Sequence, residues 1–137
     1  MVKANLIHLR LNKLDEYLAI LQELKQYSFD EFIADPKRYG SAERFLHLAI
    51  ESCTDMGNHV IADDNLGIVT SYRDIPTILE EKGYISIELR ETWIAMIGFR
   101  NILVHDYTTI DQKLVYDALK NRLDDFQKLR KVFAQFL

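Results

Sequence analysis

ERFLHLAIESCTDMGNHVIA, residues 43–62, reads as one long helix with two unlike sides. Phe45, Leu46, Ala49, Ile50, Cys53, Met56 and Val60, with Ala42 just ahead of them, recur at helical spacing on one face of a segment predicted from about Arg38 to Ile61. The far side is strongly polar: His47, Glu51, Asp55 and His59 follow one another at four-residue steps. A helix this long with one wet face needs other helices against its apolar face.

Upstream, Ile7, Leu11, Leu14, Leu18 and Leu21 alternate steps of four and three between Lys3 and about Tyr27, with Leu6, Tyr17 and Leu24 widening the stripe. Ser28 then suits the N-cap of a short turn through Phe32 and Ile33, and Asp35-Pro36 breaks the chain. Downstream, DDNLG at 63–67 reads as a loop. Ser71 is the expected cap of a short helix that ends before Gly83, with Pro76 in its first turns, and Ser86 the cap of the next. That helix carries Leu89, Trp93, Met96 and Ile97 into FRNILVHDY, residues 99–107. Thr109 or Asp111 starts a last helix whose core face holds Leu114, Val115, Leu119, Leu123, Phe126, Leu129, Val132, Phe133 and Phe136. No period-two strand emerges. The expectation is an all-α fold, an antiparallel bundle of four main helices plus a short extra helix, forming a single domain over residues 1–137 without internal repeats.

Composition agrees with one compact core. With 48% hydrophobic and 28% charged residues and only 5 Gly and 2 Pro in 137, there is little room for linkers. A single cysteine, Cys53, excludes an intramolecular disulfide framework and reads as a small buried hydrophobe. No apolar run has signal-peptide or membrane-spanning length, so the cytoplasm is the expected compartment, with no membrane partner. The net charge of −4 argues against an extended nucleic-acid surface, because such binding rests on phosphate neutralisation. RNA would have to be held at a local site.

FRNILVHDY crowds Arg100, Asn101, His105, Asp106 and Tyr107 among core-forming residues, of which Leu103 and Val104 are expected to be buried. On a straight helix, residues five apart sit about 140° round the axis and residues seven apart nearly coincide. Arg100 and Tyr107 would share a face, and His105 would not. To bring Arg100 and His105 onto one small ligand, the helix must end or distort between them, or a second subunit must complete the site. The residue types suit phosphate chemistry: Arg presents a permanently charged planar fork, and His exchanges a proton near neutrality. In RNA the 2′-hydroxyl supplies the nucleophile, so no metal and no cofactor is required. The competing reading is a helix end, where cations meet the macrodipole and Tyr107 packs with its hydroxyl wet.

The order Arg100, four residues, His105, one residue, Tyr107, together with the helix of residues 43–62, resembles the HepT family of the HEPN superfamily. The resemblance runs nearly end to end. It implies the toxin of a type VII toxin–antitoxin system: a metal-independent endoribonuclease that dimerises so that two motifs face one cleft. Arg100 and His105 match the family's catalytic pair, Asn101 and Asp106 match common neighbours that orient it, and Tyr107 matches the tyrosine modified with AMP. The implied partners are a second copy of the chain, an RNA substrate and a small nucleotidyltransferase antitoxin of the MntA type. AMP on Tyr107 would set negative phosphate beside Arg100 and His105 and fill the cleft. Asn58 and His59 match an Asn-His frequent in the family's second helix and are candidate cleft-lining residues.

Other features carry less. The row His47, Glu51, Asp55, His59 resembles a metal site, but a four-residue step drifts about 40°, so the outer histidines lie about 120° apart and cannot share one ion. A solvated face or a polar wall of the dimer cleft is the simpler reading. His8 has no constellation. Lys120, Arg122, Lys128, Arg130 and Lys131 are interleaved with Asp124 and Asp125 and read as an exposed mixed-charge face. Trp93 and Phe99 most simply pack in the core. A second class of function stays open: a non-catalytic partner presenting nucleotide to a nucleotidyltransferase, with Arg100 binding phosphate and His105 closing the helix.

Overall fold

The computed structural model of the chain describes residues 2–105 and 109–137. Among them there are helices and no strands: α1 (Ala4–Leu24), α2 (Phe29–Ala34), α3 (Pro36–Asp63), α4 (Asp74–Glu81), α5 (Ile87–His105), α6 (Gln112–Asn121) and α7 (Leu123–Ala134). None of the described helices is long and apolar enough to cross a membrane.

Local chemistry sets most boundaries. Ser28 caps α2 in a full capping box, its Oγ accepting from the Glu31 N–H while the Glu31 carboxylate accepts from the Ser28 N–H. Asp35 caps α3 by accepting from the Lys37 N–H, and Pro36 occupies the first helical position, where a missing N–H costs nothing. Two helix ends turn through left-handed residues, Asn65 at φ 52° after α3 and Gly83 at φ 82° after α4. In each, the next N–H reaches back five residues, Leu66 to the Ile61 carbonyl and Tyr84 to that of Leu79, at 2.9 Å.

α3 is the centre of the bundle and touches α1, α2, α4, α5, α6 and α7. The α1 stripe of Ile7, Leu11, Leu14, Leu18 and Leu21 is wholly buried against it, as the spacing predicts. Trp93 on α5 is fully enclosed and stands edge-on to Phe133 of α7. Polar clasps tie the layers together. Arg130 on α7 donates Nε and Nη2 to the two carboxylate oxygens of Asp15 on α1, at 2.7 and 2.9 Å. Arg90 on α5 reaches Glu80 on α4 at 2.7 Å.

Three expectations change. The last helix is two helices, because Arg122 (φ −120°, ψ 1°) breaks the chain between α6 and α7. The apolar stripe continues across the break through Leu119, Leu123 and Phe126, so periodicity could not reveal it. Leu114, assigned to the core, is 52% exposed, and Val104 is only partly covered. Ser71 does not cap α4. Instead Asp74, the first residue of α4, accepts from the Thr70 and Ser71 N–H groups and the Thr70 hydroxyl, tying the preceding loop to the helix.

The close approach of α3 to α4 and α5 makes a prediction. A Cβ at Gly57 would lie 2.5 Å from Ile75 Cγ2 and 2.9 Å from Trp93 Cη2, two buried side chains with nowhere to move. Gly57→Ala should therefore destabilise by about 1–3 kcal/mol despite the better helix propensity of alanine. Gly40→Ala, in the same helix with nothing within 4 Å, should stabilise by up to about 1 kcal/mol. Urea denaturation of both variants checks the pair; equal shifts of the same sign would contradict this packing.

Candidate functional site

α5 passes α3 in the opposite direction, with Trp93 level with Gly57 and Arg100 level with Glu51. That register places the Arg100 guanidinium between three groups. Its Nε donates to Glu51 Oε1, its Nη1 donates to Asn101 Oδ1 at 3.2 Å, and the Tyr72 ring lies with its centroid 5.1 Å from Cζ. The two charged side chains are 16% and 27% exposed, so the pair is screened less than a surface ion pair. Among the described residues the Nη2 edge has no partner. A planar cation clamped on one edge and open on another is suited to take an anion bidentately.

The charge cluster continues along α3. Glu51 Oε1 lies 3.7 Å from His47 Nε2, a close approach rather than a hydrogen bond, and His47 Nδ1 lies 3.4 Å from Arg44 Nη1. Burial pushes the His47 pKa below the ordinary value; Arg100 and Arg44 push it the same way, and Glu51 opposes them. His47 is thus held neutral between two arginines and one carboxylate.

The predicted residues separate into groups. Arg100 and Asn101 meet, as just described. His105 is the last residue of α5 and exposed, and no hydrogen bond or ion pair joins it to Arg100 among the described residues. Because α5 stays helical through His105, the two side chains leave the axis about 140° apart. Distortion of the helix between them, one of the routes to a joint site, is not used. Asp106 and Tyr107 lie outside the described residues. Asn58 is exposed and His59 half-buried, seven and eight residues beyond Glu51 on α3, which puts them about 10 Å or more along the axis from the Arg100 partner. The four-residue row is divided among different partners: His47 and Glu51 join the Arg100 cluster, and Asp55 approaches Arg10 of α1 at 3.9 Å. Cys53 is enclosed, and burial pushes its thiol up to about 12, which removes it as a nucleophile.

Sequence reasoning missed the roles of Glu51 and Tyr72. Glu51 stood in the polar row, but its pairing depends on the register of α3 against α5, which periodicity does not carry. Tyr72 lies in an aperiodic loop. Also unforeseen is a groove of about 760 Å³ on the other side of α5, lined by Met96, Phe99, Ile102, Leu114 and Phe126 among others. The outward side of α5 there is apolar and small, with Ile94, Ala95, Gly98 and Ile102, and a Cβ on Gly98 would meet nothing within 4 Å. His105 falls in the same sector of the helix as Ile94, Gly98 and Ile102.

An all-helical bundle centred on one long helix is the architecture this chain shares with a solved HEPN toxin. The chain belongs to the HepT-like family: the Ribonuclease HepT-like family model matches residues 14–133. It is 35% identical over 83 residues to the mRNA nuclease HepT of Shewanella oneidensis, a match covering 61% of this chain and 62% of that protein. It is 27% identical over 123 residues to the tRNA nuclease HepT of Aphanizomenon flos-aquae, covering 88% and 82%. The fold is similar to that of the tri-AMPylated Shewanella oneidensis HEPN toxin solved in complex with MNT antitoxin, with TM-score 0.87 and 27% identity over 95% of this chain and 97% of that one.

The depressed His47 pKa has a signed consequence. As pH falls below about 6.5 the unfolded chain takes up the His47 proton before the folded one, so stability declines through that window. His47→Asn removes this contribution. The loss of urea-denaturation midpoint between about pH 7.5 and about pH 5.5 should be smaller in the variant than in the parent. An unchanged difference would mean that His47 is not held neutral by its surroundings.

Proposed function

We propose that this chain is the toxin of a toxin–antitoxin pair, an endoribonuclease that acts in the cytoplasm on RNA and is switched off by AMP attached to Tyr107. The observation that carries the reading is the clamped Arg100 guanidinium, whose Nη2 has no partner among the described residues, in a chain of the HepT-like ribonuclease family. Arg100 binds the phosphate at the cleavage point and stabilises the charge that builds on its oxygens. His105 accepts the proton of the 2′-hydroxyl as that oxygen bonds to phosphorus, and the 5′-oxygen leaves with a proton returned to it. The products are a 2′,3′-cyclic phosphate and a 5′-hydroxyl. Because the nucleophile belongs to the substrate, the step requires no metal.

The active unit is a homodimer. A single continuous α5 sends Arg100 and His105 to different sides, so one phosphate is served by Arg100 of one protomer and His105 of its partner. Asn101 and Asp106 orient the pair. The homologous toxin solved with an MNT antitoxin and carrying AMP supports a small nucleotidyltransferase as partner and AMP donor. Attached AMP places phosphate where the Arg100 edge would receive RNA.

Arg100→Ala and His105→Ala should each lower cleavage by about 10²–10⁴-fold. Mixing the two inactive proteins after subunit exchange tests the shared site. A heterodimer then carries one site with both native residues and one with neither, so an equal mixture should regain about a quarter of the parental activity. No recovery from a mixture shown to exchange subunits would place Arg100 and His105 of one chain in the same site. RNA left equally intact by the parent and His105→Ala would instead support the nucleotide-presenting reading.

Regulation has a separate readout. Co-expression with a neighbouring nucleotidyltransferase should add AMP-sized mass to the intact protein and abolish RNA cleavage, and Tyr107→Phe should prevent both. Mass added equally to Tyr107→Phe would move the acceptor to another residue.

A further inference from the structure

Tyr72 is a large aromatic side chain left 43% exposed beside the one arginine that the proposed chemistry uses. It does not sit on a loose loop. The Asp74 carboxylate holds the Thr70 and Ser71 N–H groups at 2.9 and 3.1 Å and the Thr70 hydroxyl at 2.8 Å, and the Ile75 N–H closes onto the Tyr72 carbonyl at 3.1 Å. Those hydrogen bonds, from the Thr70 backbone first, hold the Asp74 carboxyl below the usual carboxylate range, so the clasp persists at neutral pH.

Beside the ring is a depression of about 430 Å³, lined by Val69, Thr70, Ser71, Arg73, Ile97 and Asn101 together with Tyr72. Its size lies in the range of small-ligand clefts, about 300–1,000 Å³. Its chemistry is mixed: an aromatic face, an aliphatic floor from Val69 and Ile97, and hydroxyl and amide groups at the rim. Arg73 is exposed, and its guanidinium has no ion-pair partner among the described residues. An unpaired nucleobase needs this combination, a π surface to stack on, polar groups for its edge and cations for the flanking phosphates. A base pair is not admitted, because a duplex hides the faces that Tyr72 could cover.

We propose that the loop of residues 64–73 is a nucleobase subsite: Tyr72 stacks an unpaired base of single-stranded RNA next to the phosphate held by Arg100, and Arg73 meets the neighbouring phosphate. The subsite rests on the ribonuclease reading for its biological substrate, but binding can be measured without cleavage. It also gives the Arg100–Tyr72 contact a second purpose, since stacking and phosphate capture then act on adjacent parts of one nucleotide.

The probes are a fluorescein-labelled, mixed-sequence 2′-O-methyl oligonucleotide, which lacks the attacking hydroxyl, and an abasic oligonucleotide of equal length. Anisotropy is measured with the full chain expressed without a nucleotidyltransferase. The parent and Tyr72→Phe should bind the base-bearing probe alike, and Tyr72→Ala about 5- to 100-fold more weakly, the loss of one stacked base. Tyr72→Ala should weaken abasic binding far less than base-bearing binding, whereas Arg73→Ala should weaken both probes alike. If Tyr72→Ala weakens both probes equally, the tyrosine acts only by holding Arg100, and the subsite is overturned. Equal parental affinity for the two probes overturns it as well. Cleavage of unmodified RNA by the parent is scored separately: base-dependent binding without cleavage sinks the ribonuclease and keeps the subsite, and cleavage with base-independent binding does the reverse.

Discussion

α3 is surrounded, and that constraint shapes the rest of the molecule. Six other helices pack on it, so most of its circumference must be apolar or small. Ala42, Ala49, Ser52, Cys53, Thr54 and Gly57 are all buried along it, and the Thr54 hydroxyl satisfies itself on the Ile50 carbonyl at 3.0 Å. Only a narrow strip stays polar, through Arg44, His47, Glu51 and Asp55. Charges on a half-covered strip must find partners, because uncompensated burial is costly. Arg10 comes to Asp55 from α1, and Arg100 comes to Glu51 from α5. The site stands where the enclosing helices leave α3 incompletely covered.

How much of this was legible follows from which forces are local. Caps and apolar stripes are encoded within a few residues, so Ser28, Ser86 and Asp111 cap as expected, Ser86 Oγ accepting from the Leu89 N–H at 3.0 Å, while Asp35, expected only to break the chain, also caps α3. Gly83 closes α4 as its composition suggested. The break at Arg122 was invisible, because Leu119, Leu123 and Phe126 keep helical phase on either side of it. Leu114 was misplaced for a related reason: an apolar residue in phase faces the core only if the bundle covers that side, and here it borders the groove. At the site, Arg100 and Asn101 were readable as chemistry, whereas Glu51 and Tyr72 were not, since both meet Arg100 through tertiary register.

The partner of Arg100 also explains why an arginine is suited to this position. A guanidinium spreads its charge over three nitrogens in a plane, so Glu51 can hold the Nε edge while Nη2 keeps no partner among the described residues. An ammonium has no separate edges and would be drawn to the carboxylate as a point charge. Glu51 therefore orients Arg100 without consuming it, and the Asn101 amide and Tyr72 ring remove the remaining rotational freedom. The entropy of ordering a long flexible side chain is met in the folded protein, which suits the phosphate-binding role proposed for it.

The acidic character of the chain fits this economy of charge. With a net charge of −4, the surface offers RNA no general attraction. On the proposed reading, affinity comes from several weak elements acting together: an oriented guanidinium, a stacked base and, in a pair of chains, the motif repeated by symmetry. Any one of them alone binds poorly at physiological salt, where exposed charges more than about 8 Å apart are largely screened. The proposed division of the site between two protomers would make that dependence structural. A lone chain presents Arg100 on one side of α5 and His105 about 140° away, which is why the proposed site is shared between two protomers.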